Sequence, residues 1–295
     1  MQTLIDIGAN LTNSRFSADL PEVIARAAAQ GVTKIIVTGT SLKASQEALA
    51  LTEHFPNQLY STSGVHPHDA SEWNPDTASQ IAGLARHPAV IALGECGLDF
   101  FRDFSPREQQ LACYEAQLEI AADIQKPVFL HQRDAHNEFL EILKQHRPNI
   151  SNAVVHCFTG TTEQASDYLD QDCYIGITGW LCDPRRGENL RQAVKSIPLD
   201  KLMIETDAPY LLPKDILPKP KSRPKPRPKS RPKSNRNEPA HLPHILNTLA
   251  HILDLPSQEL GEILTANTEK FFNLPKTASM KCVNRMHQQN NSSDT

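Results

Sequence analysis

Val90-Ile-Ala-Leu-Gly-Glu-Cys-Gly-Leu-Asp-Phe-Phe101 opens as a short apolar run bounded by turn residues, the pattern of a buried strand. It passes into Gly94-Glu95-Cys96-Gly97, so Glu95 is expected where an apolar strand stops and a glycine-rich loop begins. A carboxylate at that point is costly to bury unless a cation, a metal or hydrogen-bond donors face it. The two glycines let the backbone come close to a ligand. What the rest of the chain sets opposite Glu95 therefore decides both architecture and chemistry.

Outward from this stretch, similar runs at 3–8, 34–39, 59–65, 127–131, 153–156, 173–178 and 202–207 read as strands. Helical segments separate them, at 20–30, from the cap Ser41 to 54, and at 76–86, 106–124, 134–145, 162–169 and 189–196. Two more, at 239–253 and 257–272, close the chain. Asp19 is a candidate N-cap, Gly31 a stop signal, and Ser105-Pro-Arg-Glu108 has capping-box spacing. Eight strand–helix pairs in alternation imply a parallel sheet with helical crossovers, and eight strands close a (β/α)8 TIM barrel. An open doubly wound sheet is the alternative. The absence of G-x-G-x-x-G after the first strand argues against its dinucleotide-binding version.

At 295 residues, with 39% hydrophobic and 22% charged residues, the chain has the composition of a soluble globular protein. Residues 1–275 are expected to form one barrel domain. No apolar run approaches a membrane helix, and residues 1–6 lack a signal peptide's basic and apolar regions. Cysteines 96, 113, 157, 173, 182 and 282 show no C-x-x-C pair and read as free thiols of a cytoplasmic protein. A monomer with no membrane partner is expected. The net charge of −4 hides an asymmetry, because residues 214–236 carry +9 and the remainder −13. Within that segment Arg-Pro-Lys recurs at 223–225, 227–229 and 231–233. Proline and like charges favour an extended, disordered insertion in the loop after the last barrel strand. It is either a DNA tether or a neutral repeat expansion. The polar residues 276–295 read as a disordered tail.

The strand ends carry the chemistry. His66 and His68 end the third strand, Glu95 the fourth, His131 the fifth, His156 the sixth, and Glu205 and Asp207 the eighth. In a barrel these ends meet on the face that hosts active sites. Any one histidine there is more often structural than a ligand. Five such positions in line point to a metal centre, which needs imidazoles and carboxylates together. No serine nucleophile elbow is present, and Cys96 and Cys157 read as small residues beside a ligand.

Further motifs run in order along the chain: Asp6-Ile-Gly-Ala-Asn-Leu11, Gly64-Val-His-Pro-His68, Gly94-Glu-Cys-Gly-Leu-Asp99, Leu130-His-Gln-Arg133, His156-Cys-Phe-Thr-Gly160, Glu205-Thr-Asp-Ala-Pro-Tyr210 and Arg236-Asn-Glu-Pro239. With them the chain resembles the TatD family of metal-dependent deoxyribonucleases, within the amidohydrolase-like barrels. The resemblance implies that Glu95, His131 and His156 bind a divalent metal, with Asp207 at the same centre. It also implies hydrolysis of DNA phosphodiesters by a metal-activated water, from the 3′ end of single strands, with magnesium as the usual activator. Two imidazoles suit manganese or zinc better. Many relatives hold a second, inner metal with two histidines; Gly8 and Asn10 stand at those positions and leave that site in question.

Asp207 is the candidate general base. His66 or His68 would contact the phosphate or protonate the leaving 3′-oxygen, with His68 preferred. Arg133 is a candidate phosphate contact. Trp180 and Tyr210 could stack on a base. Two other functions stay open on the residues alone. One is ester hydrolysis, as in a D-aminoacyl-tRNA deacylase. The other is a non-catalytic nucleic-acid-binding barrel, against which the intact ligand set argues.

Overall fold

Each of the eight apolar runs forms a parallel strand in the computed structural model, which describes residues 3–216 and 235–276. The strands are β1 (Leu4–Ala9), β2 (Val32–Val37), β3 (Leu59–Ser63), β4 (Val90–Asp99), β5 (Val128–Arg133), β6 (Ala153–Val155), β7 (Tyr174–Ile177) and β8 (Leu202–Ile204). They pair in sequence order, each with the next. The helices between them are α1 (Leu20–Ala29), α2 (Leu42–His54), α3 (Pro75–Ala85), α4 (Arg107–Ile124), α5 (His136–His146), α6 (Thr162–Asp170) and α7 (Glu188–Ala193). The last two, α8 (Leu242–Leu253) and α9 (Ser257–Phe271), follow β8.

The barrel closes between the first and last strands. Ala9 and Ala208 form a parallel bridge, and Asp207 N donates to Gly8 O at 2.8 Å. The buried Asp6 carboxylate adds a side-chain lock, accepting from Thr206 N at 2.9 Å and Thr206 Oγ1 at 2.5 Å.

Period-2 alternation sorts the residues of β5 to β8 into layers. Phe129, Val154, Tyr174 and Met203 belong to one buried apolar cluster with Ile5, Ile7 and Ile36. Phe271, Phe272 and Leu274 pack into the same cluster. Two residues further along the same strand directions stand His131, His156, Gly176 and Glu205. The polar layer thus lies directly on an apolar floor. A second cluster, including Leu4, Val37, Leu93, Leu130, Val155 and Leu246, joins the strands to the surrounding helices.

Local expectations hold at several ends and fail at others. Ser41 caps α2 by accepting from Ala44 N. Gly31 follows α1 at φ 85°, a conformation open to glycine. By contrast, the fourth strand does not stop at Glu95: β4 runs on to Asp99, because Gly97, Leu98 and Asp99 keep pairing with β5. Gly97 at φ 142° is what lets it continue, since a Cβ there would collide with the His131 carbonyl. Ser105 is not a helix cap. Its hydroxyl donates to His68 O at 2.8 Å and accepts from Ser71 N, and Pro106 occupies the cap position of α4. Asp19 sits at the cap of α1 without capping, because its carboxylate is taken by Arg26 and Arg236.

Arg236, the last residue of the basic segment, is held at 2.7 Å by Asp19 and 2.6 Å by Glu238. Residues 217–234, which include the three Arg-Pro-Lys repeats, and 277–295, which hold nearly all of the polar tail, lie outside the described residues. No helix among the described residues is long and apolar enough to cross a membrane.

Candidate metal centre

Three imidazoles converge on one carboxylate oxygen. Glu95 Oε1 lies 2.7 Å from His156 Nε2, 2.9 Å from His131 Nδ1 and 3.3 Å from His66 Nε2. The four side chains come from β4, the end of β5, and the residues just after β6 and β3. Ligand atoms of His66, Glu95 and His131 all lie within 4.8 Å of one another. Burial alone would raise the Glu95 carboxyl. The surrounding His156, His66 and His131 outweigh that and hold it well below the usual carboxylate range. Burial pushes His66 down to about 4, so that ring is neutral near pH 7 and has a lone pair to give.

This donor set fits a divalent cation. His156 has a carboxylate at each ring nitrogen, Glu95 at Nε2 and Glu205 Oε2 at Nδ1, 3.3 Å away. Such a ring is satisfied either as imidazolium or as a neutral ring that donates Nδ1–H to Glu205 and offers its Nε2 lone pair. The second state is the arrangement of a metal-ligating histidine oriented by a carboxylate. His131 Nε2 is also buried without a hydrogen-bond partner, 3.6 Å from Asp99 Oδ2.

Glu205 is fully buried in a niche made by two glycines. A Cβ at Gly176 would stand 2.8 Å from Glu205 Oε1, and one at Gly8 would collide with Oε2. Its remaining acceptor capacity takes Cys157 N at 2.5 Å. Gly8 is therefore the residue that admits Glu205. A side chain at this position would displace the Glu205 carboxylate or the Phe129 ring. Asn10 instead donates from Nδ2 to Asp207 Oδ1 at 2.9 Å. Burial, with the Glu95 charge nearby, pushes Asp207 up to about 8.

His68 lies beside the Glu95 group and not in it. Its Nε2 is 2.8 Å from Asp99 Oδ2. Arg133 lines the same cleft with its guanidinium 4.0 Å over the Phe101 ring. Trp180 is half-buried with Arg186 across its face at 4.2 Å. Tyr210 is exposed, with its hydroxyl accepting from Asn13. The cleft measures about 1550 Å³ and takes in the Glu95 cluster, His68, Arg133 and Asp207.

Of the residues expected from the sequence, Glu95, His131 and His156 meet at one oxygen. His66, expected to touch substrate, meets them there. Asp207 borders the group and bonds to Asn10. Asp99 was missed as a functional residue, although it stands four residues after Glu95 in one strand and so shares its face. Ending the strand at Glu95 hid that relation.

A parallel eight-stranded barrel that gathers imidazoles and carboxylates at its C-terminal strand ends defines a class: a barrel hydrolase with a candidate divalent-metal centre. Comparison with known proteins narrows this. The family model described as TatD related DNase matches residues 5–273. A protein of Citrobacter rodentium named 3′-5′ ssDNA/RNA exonuclease TatD is 51% identical over 271 residues, covering 92% of this chain and 98% of that one. A namesake from Edwardsiella piscicida is 48% identical over 92% of this chain and 100% of its own. Among solved structures, a TatD homologue from Escherichia coli matches with a TM-score of 0.80 at 30% identity, over 92% of this chain and 98% of that one. The chain belongs to the TatD-related DNase family and is a hydrolase acting on DNA.

Proposed function

We propose that the chain is a metal-dependent 3′–5′ exonuclease that shortens single strands. The convergence of three imidazoles on Glu95 Oε1 at the base of a wide cleft carries this reading. The nuclease names of the relatives support it and do not favour the ester-cleaving alternative. Glu95, His131, His156 and Asp207 hold the metal, with His66 against the same carboxylate. A divalent metal held there supplies Lewis acidity, acidifying water and neutralising phosphoryl charge. The two imidazoles of the donor set favour manganese or zinc over magnesium, whose preference is for oxygen.

Asp207, which a divalent cation beside it would hold as the carboxylate, orients the attacking water and takes its proton as oxygen bonds to phosphorus. His68, held by Asp99, protonates the 3′-oxygen as the P–O3′ bond breaks. Arg133 contacts a phosphate oxygen of the strand. The free thiols support a cytoplasmic setting.

The test is degradation of a 5′-labelled single strand after chelation and re-addition of magnesium, manganese or zinc. Stepwise shortening from the 3′ end, lost in Glu95→Ala with the fold retained, is expected. Near-normal turnover of that variant, or chelator-insensitive cleavage, would overturn the assignment.

A further inference from the structure

Among the described residues, the large apolar side chains left strongly exposed are Phe101 at 54%, Phe104 at 67% and Tyr210 at 49%. All three line the cleft above the histidine cluster. Single exposed apolar residues are ordinary on a protein surface, but their collection in one cleft marks a binding site.

Two of them are built into the chemistry of the site by one carboxylate. Asp99 Oδ1 accepts from Phe101 N at 3.0 Å and Arg102 N at 2.8 Å, fixing the turn that presents Phe101. Its other oxygen, Oδ2, holds His68 Nε2 at 2.8 Å. The Phe104 ring packs against His68, with centroids 4.7 Å apart. The Arg133 guanidinium lies 4.0 Å over the Phe101 ring, backing the phenyl with a flat cation. The turn therefore sets aromatic faces beside the groups assigned to the scissile phosphate.

We propose that Phe101 and Phe104 form a base-stacking site for the unpaired nucleotides next to the scissile phosphate. This rests on the nuclease reading and names what recognises a single strand. Every base has a π-face, so stacking on aromatic rings is sequence-tolerant, and in a duplex those faces are already covered by neighbouring bases. Arg102 and Arg133 beside the rings supply charge for the backbone.

The probe is a single-stranded oligonucleotide with 2-aminopurine near its 3′ end, bound to the full chain in chelating buffer. The unmodified chain quenches its fluorescence by stacking. Phe101→Leu and Phe104→Leu, which keep apolar bulk and remove the π-face, lose the quenching. Each raises KM roughly tenfold, and Phe101→Trp restores both readouts. An oligonucleotide with abasic 3′ nucleotides is the reference: preference for the base-bearing strand over the abasic one collapses in the two leucine variants. Retained quenching and preference in those variants would overturn the proposal, as would an equal loss on the abasic strand, which assigns the rings to packing. A chain that degrades neither strand sinks the nuclease reading instead. Quenching, measured without turnover, still decides on the rings.

Discussion

Glu205 reaches from the end of β8 to His156 Nδ1 at 3.3 Å, and in doing so decides which nitrogen of that ring faces Glu95. With Nδ1–H engaged, Nε2 is the lone-pair atom and points at the carboxylate that would share a cation with it. Glu205→Gln keeps the shape and removes the charge. Metal affinity is expected to fall about 10–100-fold. Calorimetric titration of the chelated protein checks this, and an unchanged affinity would remove Glu205 from the site's design.

Asp207→Asn should lower turnover by about a hundredfold or more, and by more than it lowers metal affinity. The amide preserves the contact to Asn10 but cannot take a proton from water. Parallel titration of metal binding and rate separates the two effects. Equal losses would make Asp207 a ligand and nothing else.

Gly8→Ala sets a methyl group against Glu205 Oε2 and the Phe129 ring. Overpacking of this kind costs about 1–3 kcal/mol. A lower midpoint in thermal unfolding, with metal affinity reduced because Glu205 must shift, is the expected outcome. A variant as stable as the parent would show that the niche yields.

Arg236 ties the chain after the basic segment to α1. Its hydrogen bond is the main cause holding the Asp19 carboxyl below its ordinary range. Burial would raise Glu238, but Arg26 and Arg236 outweigh it and lower that group too. Carboxyls depressed in the folded state contribute stability above their unfolded pKa, roughly 4, and lose it as pH falls through the depressed values. Arg236→Gln should therefore cost on the order of 1–3 kcal/mol near pH 7. The gap to the parent should close as pH drops below about 4. Chemical denaturation across pH 2–8 measures it (roughly the span over which carboxyls titrate), and a gap independent of pH would contradict the ion-pair account.

Removal of residues 217–234 takes eight cations from the loop that follows the last barrel strand. If they contact a bound strand, each contact contributes about 0.7 to the logarithmic salt slope. A shallower salt dependence of single-strand binding is expected on removal. An unchanged slope would identify the repeats as a neutral expansion.

The sequence by itself determined the alternation of eight strands and their helices, since apolar period and turn residues are local properties. It also placed Glu95, His131 and His156 at strand ends, and a barrel brings strand ends together whatever the details. Strand length was not local: β4 continues past Glu95 because β5 offers partners, and only that continuation puts Asp99 on the face of Glu95. The same holds for Ser105, whose capping pattern lost to the carbonyl of His68, far away in sequence. Only the tertiary structure decided that His66 joins the Glu95 cluster, that Glu205 reaches His156 from 49 residues away, and that Gly8 leaves space for the Glu205 carboxylate. These relations depend on ångström distances between strands. Barrel closure and register set those distances, and no short stretch of chain encodes them.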